Sequence, residues 1–87
     1  MYTVYMLICK DRKGNESLYT GYTKHLLTRF NQHKNGKGAR YTIGKDLTIG
    51  YHSSPFMTIR EAMAEERRIK GLSSQKRWEM VEKNVGM

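Results

Sequence analysis

The chain has 87 residues, 16 Lys plus Arg against 8 Asp plus Glu, and a formal net charge of +8. That length fits one domain spanning 1–87 with a modest core. No run reaches the roughly 20 apolar residues of a membrane-spanning helix, and a lone Cys9 excludes an internal disulfide framework. The charge balance is that of a nucleic-acid binder, with ribosomes and acidic membranes as the weaker alternatives. The expected compartment is reducing and cytoplasmic, next to a nucleoid, or nuclear in a eukaryotic or viral setting.

In chain order, Tyr2 to Cys9 is apolar on both alternating sets, the pattern of a central strand covered on both faces. Lys10 to Glu16, with Gly14-Asn15, predicts a turn, and Leu18 to Tyr22 a second strand, giving an antiparallel hairpin. With its apex near Arg12, Tyr5 and Tyr19 face each other, about 5 Å apart at Cβ. Thr23 is the expected cap of a helix from about Lys24 to Asn35, stopped by Gly36, with Leu26, Leu27 and Phe30 inward. Gly36 to Lys45 is a basic, glycine-rich loop. Leu47 to His52 predicts a third strand, broken at Ser53-Ser54-Pro55.

Thr58 and Glu61 form a capping box opening a second helix. Its inward face is expected to carry Ile59, Ala62, Met63, Ile69 and Lys70, with Gly71 as the stop. Ser73 or Ser74 caps a last helix with Trp78 and Val81 inward, and Met57, Met63 and Met80 are expected in the core. The fold class is α+β (α/β in the broad sense): a small three-stranded antiparallel sheet flanked by helices in the order β-β-α-β-α-α.

The residues that bear chemistry are few. Glu66 falls inside the apolar stripe of the second helix, where a carboxylate needs a partner. A lysine or arginine satisfies it in one reading, a divalent cation that keeps most of its waters in the other. Glu65 is expected in solvent. Arg29 and His33 share a helix edge. The planar fork of Arg29 suits phosphate oxygens, although most helical arginines are surface charges. Tyr5 and Tyr19 read first as core aromatics with a polar tip. Gly21 permits close backbone approach, or marks a bulge. Lys37, Arg40 and Tyr41 sit where a loop can track a phosphate backbone or simply connect elements. His25, His33, His52 and Cys9 lack zinc spacing, and no P-loop, dinucleotide-binding or Ser-His-Asp pattern occurs.

In their order these signals resemble the GIY-YIG nuclease superfamily, in particular its small single-domain members. Val4-Tyr5-Met6 stands at the first motif, departing from Gly-Ile-Tyr, and Tyr19-Thr20-Gly21 at the second. Leu27 to His33 brings Arg29 ten residues after Tyr19. Gly36 to Thr42 looks like the loop of the single-domain group, and Glu61 to Lys70 like the metal-binding helix with Glu66 as ligand. The asparagine that several relatives carry in the last helical segment has no counterpart at its place, where Trp78 stands.

The resemblance implies a hydrolase that needs Mg²⁺ or Mn²⁺ on Glu66. Arg29 would hold the phosphoryl oxygens, and Tyr19, helped by Tyr5 and His33, would take the water's proton. Lys24, Lys37, Arg40, Tyr41 and Lys70 are the expected nucleic-acid contacts. The expected substrate is DNA, with RNA as a second polymer, cut by structure (branched, nicked or single-stranded) in repair or recombination. The alternatives are a binding module that keeps the fold without cleavage, and a subunit working with a protein partner or a second copy of itself.

Overall fold

The computed structural model describes residues 1–84; the last three positions of the expected 1–87 domain lie outside the described residues. The elements are β1 (Thr3–Lys10), β2 (Glu16–Thr23), α1 (Leu26–Lys34), a single 3₁₀ turn (Arg40–Thr42), β3 (Asp46–His52), α2 (Ile59–Lys70) and α3 (Ser74–Asn84). The three strands form one antiparallel sheet in the order β2-β1-β3. This is the expected β-β-α-β-α-α architecture.

Because β1 is central, its alternating residues feed two separate cores. Val4 and Met6 pack with Ala62 and Ile69 of α2 and Val81 of α3. Tyr5, Leu7 and Cys9 pack on the opposite face, against Tyr19, Leu26, Phe30, Leu47 and Ile49. The period-two geometry of a strand produces this division. A bulge in β3 sets Met6 opposite Tyr51 but Leu7 opposite Ile49, leaving Gly50 as the extra residue. A Cβ on Gly50 would lie 2.9 Å from Ile8 Cγ1, so only glycine fits there.

The hairpin register differs from the expected one. Tyr5 pairs with Gly21, and Tyr19 with Leu7. The loop runs from Asp11 to Asn15 and centres on Lys13, not Arg12. The Asp11 side chain sets this: its Oδ1 accepts from the N–H groups of Lys13 and Asn15, each at 2.9 Å, while Gly14 takes φ 87°. Moving the centre by one residue moves each partner by two. Tyr5 and Tyr19 therefore stay on one face but sit diagonally.

Helix α1 begins two residues later than expected. Thr23 is still paired with Thr3 in the sheet, so the chain needs two residues to turn. Thr23 Oγ1 accepts from His25 N–H at 3.2 Å, and His25 becomes the cap residue. The inner face is Leu26, Phe30 and His33, and Leu27 turns out to solvent at 72% exposure. Gly36 stops the helix at φ 74°.

The capping box of Thr58 and Glu61 is present in both directions. Only Ala62 and Ile69 of the expected α2 stripe are buried; Ile59, Met63 and Lys70 are exposed. The inner stripe runs instead through positions 62, 65, 66 and 69, the i, i+3, i+4, i+7 spacing of a helix face. Glu65 is thereby not solvated: Arg68 grips its carboxylate at 2.6 and 2.8 Å, and that hydrogen bonding holds its pKa below the usual carboxylate range. Ser73 caps α3 by accepting from Lys76 N–H at 3.2 Å. Trp78 and Met80 pack on the core, whereas Met57 and Met63 stand out in solvent. No helix of the described residues is long and apolar enough to cross a membrane.

Candidate active site

A cleft of about 330 Å³ is lined by Tyr5, Tyr19, Gly21, Tyr22, Arg29 and Glu66. Four elements meet there. The hairpin supplies the tyrosines and the glycine, α1 supplies Arg29, and α2 supplies Glu66. The absent side chain of Gly21 makes room for Tyr5 on the neighbouring strand: a Cβ there would lie 2.6 Å from Tyr5 Oη.

Behind the cleft wall, His33 is 1% exposed and bonded at both ring nitrogens. Tyr5 Oη lies 2.9 Å from Nε2, and Thr42 Oγ1 lies 3.0 Å from Nδ1. The Ala39 N–H also points at Nδ1, from 3.3 Å. Thr42 Oγ1 in turn donates to the Ala39 carbonyl at 2.8 Å, which ties the ring to the basic loop. Burial, reinforced by the nearby Arg29 charge, pushes the His33 pKa below its ordinary value. These observations describe a neutral imidazole that positions Tyr5. Gly38 lets the basic loop close over it, because a Cβ at that position would strike the His33 ring.

Burial raises the Tyr5 pKa, and the pull of Arg29 in the other direction does not cancel it. Tyr5 is therefore held as a phenol. Tyr19 is half-buried on the cleft wall, its ring edge-on to His33 at 5.3 Å and stacked on Tyr41 at 6.2 Å. Tyr41 is anchored by its hydroxyl, which donates to Ser17 Oγ at 2.6 Å, and Lys45 Nζ lies 3.5 Å over its ring.

Arg29 donates to the neutral Gln32 Oε1 at 3.1 Å and has no carboxylate within ion-pair distance among the described residues. Its charge is free for an anion. Glu66 lies 3.6 Å from Lys70 Nζ, a loose pair with side-chain exposures of 19% and 54%. At that separation, partly exposed, such a pair is worth at most about 1 kcal/mol. Its oxygens thus remain available. No group of three or more His, Cys, Asp or Glu suited to a metal occurs among the described residues. A single hard carboxylate beside two phenol oxygens fits an ion that retains most of its water, such as Mg²⁺; it does not fit a fully protein-caged one.

The structure thus brings Tyr5, Tyr19, Arg29 and Glu66 into one cleft, with His33 behind it and Tyr41 and Lys70 beside it. It does not bring the other expected contacts there. Lys24 lies over Tyr2, 5.6 Å from the ring centre, and Lys37 and Arg40 are exposed on the loop. Sequence reasoning missed Tyr22, Thr42, Lys45 and the burial of His33. Asn84 of α3 lines a different cavity, with Thr3 and His52 to Pro55.

The GIY-YIG catalytic domain profile matches residues 1–79. A UPF0213 protein of Oceanobacillus iheyensis is 42% identical over 91% of this chain and 87% of its own length. One from Natronomonas pharaonis is 39% identical over 95% and 93%. The solution NMR structure of a UPF0213 protein from Bacillus halodurans superposes with TM-score 0.53 at 33% identity, covering 99% of this chain and 88% of that one. With its nuclease-type fold and small-domain relatives, the chain belongs to the GIY-YIG family, among the UPF0213 proteins.

Proposed function

We propose that this protein is a metal-dependent endonuclease that hydrolyses phosphodiester bonds in DNA, acting in the cytoplasm on branched, nicked or single-stranded structures. The observation that carries the reading is the convergence of Arg29, Glu66 and two tyrosines, from four elements, on one cleft in a chain of net charge +8. So small a fold has little surface for base readout beyond that cleft, which favours recognition by backbone and shape.

Arg29 binds the phosphoryl oxygens as negative charge builds on them. Glu66 is the residue to hold Mg²⁺ or Mn²⁺, which when bound supplies charge stabilisation to the scissile phosphate and its leaving oxygen. Tyr19 takes the proton of the attacking water. Tyr5, kept a phenol by burial and held in place by His33, orients the water or phosphate by hydrogen bonding. The +8 charge draws the polymer in.

The test is a panel of single-stranded, duplex, flap and four-way DNA, with an RNA arm, incubated with Mg²⁺ or Mn²⁺. The wild type is expected to cut DNA, the structured members fastest. Arg29→Ala is expected to lose at least about a hundredfold in rate, on the order of 3 kcal/mol of transition-state stabilisation. Tight binding by both proteins with no cutting by either would replace this reading with that of a non-catalytic binding module.

A further inference from the structure

A second pocket, of about 240 Å³, is lined by Leu18, Tyr19, Thr20, Tyr41, Lys70 and Arg77. It adjoins the reaction cleft: Tyr19 lines both, and Lys70 of the pocket lies 3.6 Å from Glu66 of the cleft. The proposed chemistry makes no use of it. Two of its groups nevertheless lack what buried polar groups nearly always have. Thr20 is 3% exposed, and its hydroxyl has no hydrogen-bond partner. Arg77 Nε is also buried without a partner, and its guanidinium enters neither ion pair of the described residues. Two orphan donors in one pocket point to a missing acceptor. With Lys70 on the same wall, that acceptor is an anion with several oxygens. Leu18 and the rings of Tyr19 and Tyr41 line the rest, a surface suited to the carbons of a sugar. The pocket lies along β2, an edge strand of the sheet, and adjoins the cleft through Tyr19.

We propose that this pocket holds the phosphodiester of the nucleotide next to the scissile one in a single strand, with Arg77 and Lys70 on its oxygens and the Thr20 hydroxyl as a further donor. The assignment rests on the nuclease reading and adds a subsite to it. It is tested by fluorescence anisotropy with labelled single-stranded DNA in EDTA, so that binding is read without cleavage, across a series of salt concentrations. Arg77→Gln is expected to weaken binding about tenfold, the worth of one charge-assisted hydrogen bond. It also lowers the slope of log K against log salt by about 0.7, the share of one phosphate on a single strand. Lys70→Gln, at an exposed side chain that the fold does not need, gives the same change in slope. Thr20→Val keeps the volume, and is expected to weaken binding a few-fold with the slope unchanged. Wild-type affinity and slope in both Arg77→Gln and Lys70→Gln would overturn the subsite and leave the nuclease reading intact. Failure of the wild type to bind any single strand would overturn the subsite and confine the nuclease reading to branched or nicked duplexes.

Discussion

The two faces of β1 are built from the same strand to opposite ends. On one side Val4 and Met6 meet Ala62, Ile69 and Val81 in an apolar cluster. On the other, Tyr5 is as buried as Met6 but ends in a hydroxyl held by His33, whose second nitrogen is held by Thr42. The first face owes its stability to apolar area. The second spends burial on orientation: every buried polar tip is bonded, and two glycines, Gly21 and Gly38, supply the space. A domain this small has little core to spare, yet Tyr5, unlike Leu7 and Cys9 on the same face, is committed to a polar network, as the proposed site requires.

Substitutions break the comparison most sharply when made in pairs. Ile69→Ala, on the apolar face, is expected to lose about 2–5 kcal/mol of folding stability in denaturant titration, while molecules that remain folded cut at the wild-type rate. Arg29→Ala should do the reverse, leaving stability within about 0.5 kcal/mol of the wild type and removing cleavage. Equal stability losses in the two would erase the distinction. On the polar face, Gly21→Ala is expected to lose about 1–3 kcal/mol by overpacking against Tyr5 Oη, and activity with it. Tyr5→Phe is a gentler change that leaves His33 Nε2 without its partner, at about 1–3 kcal/mol.

The smallest effect is the pH dependence of stability. His33 has a folded-state pKa below its ordinary value of about 6.5, so the unfolded chain takes up a proton that the folded chain refuses. Its contribution is therefore constant at high pH and stability falls as pH drops through about 6.5. Melting curves between pH 7.5 and 5 are expected to show that fall, with a shallower slope in His33→Gln. An equal slope in the variant would show that His33 is not the group responsible.

Much of the architecture is legible in the chain because it rests on local signals. The apolar run of β1, the Thr58–Glu61 box and the glycine stops at 36 and 71 each act within a few residues. What was not legible depends on contacts between distant segments. The register hung on one Asp11 side chain, and it moved Tyr19 from opposite Tyr5 to opposite Leu7. The second helix offered Ile59 and Met63 as core residues, but α2 packs Ala62 and Ile69 on β1 and sets its two glutamates beside them. Arg29 and Glu66 stood out by residue type and position. Burial of His33 did not, since Thr42 and Gly38 reach it only once the basic loop folds back over α1.

The central claim is that the polar face is a phosphodiester-cleaving site that depends on Glu66. Single-turnover cleavage of the best DNA substrate with Mg²⁺, by the wild type and by Glu66→Ala, tests it, with melting temperatures taken on the same samples. The account predicts a variant that melts like the wild type, still binds DNA and cuts at least about a hundredfold more slowly. A folded Glu66→Ala that cuts at the wild-type rate would contradict it.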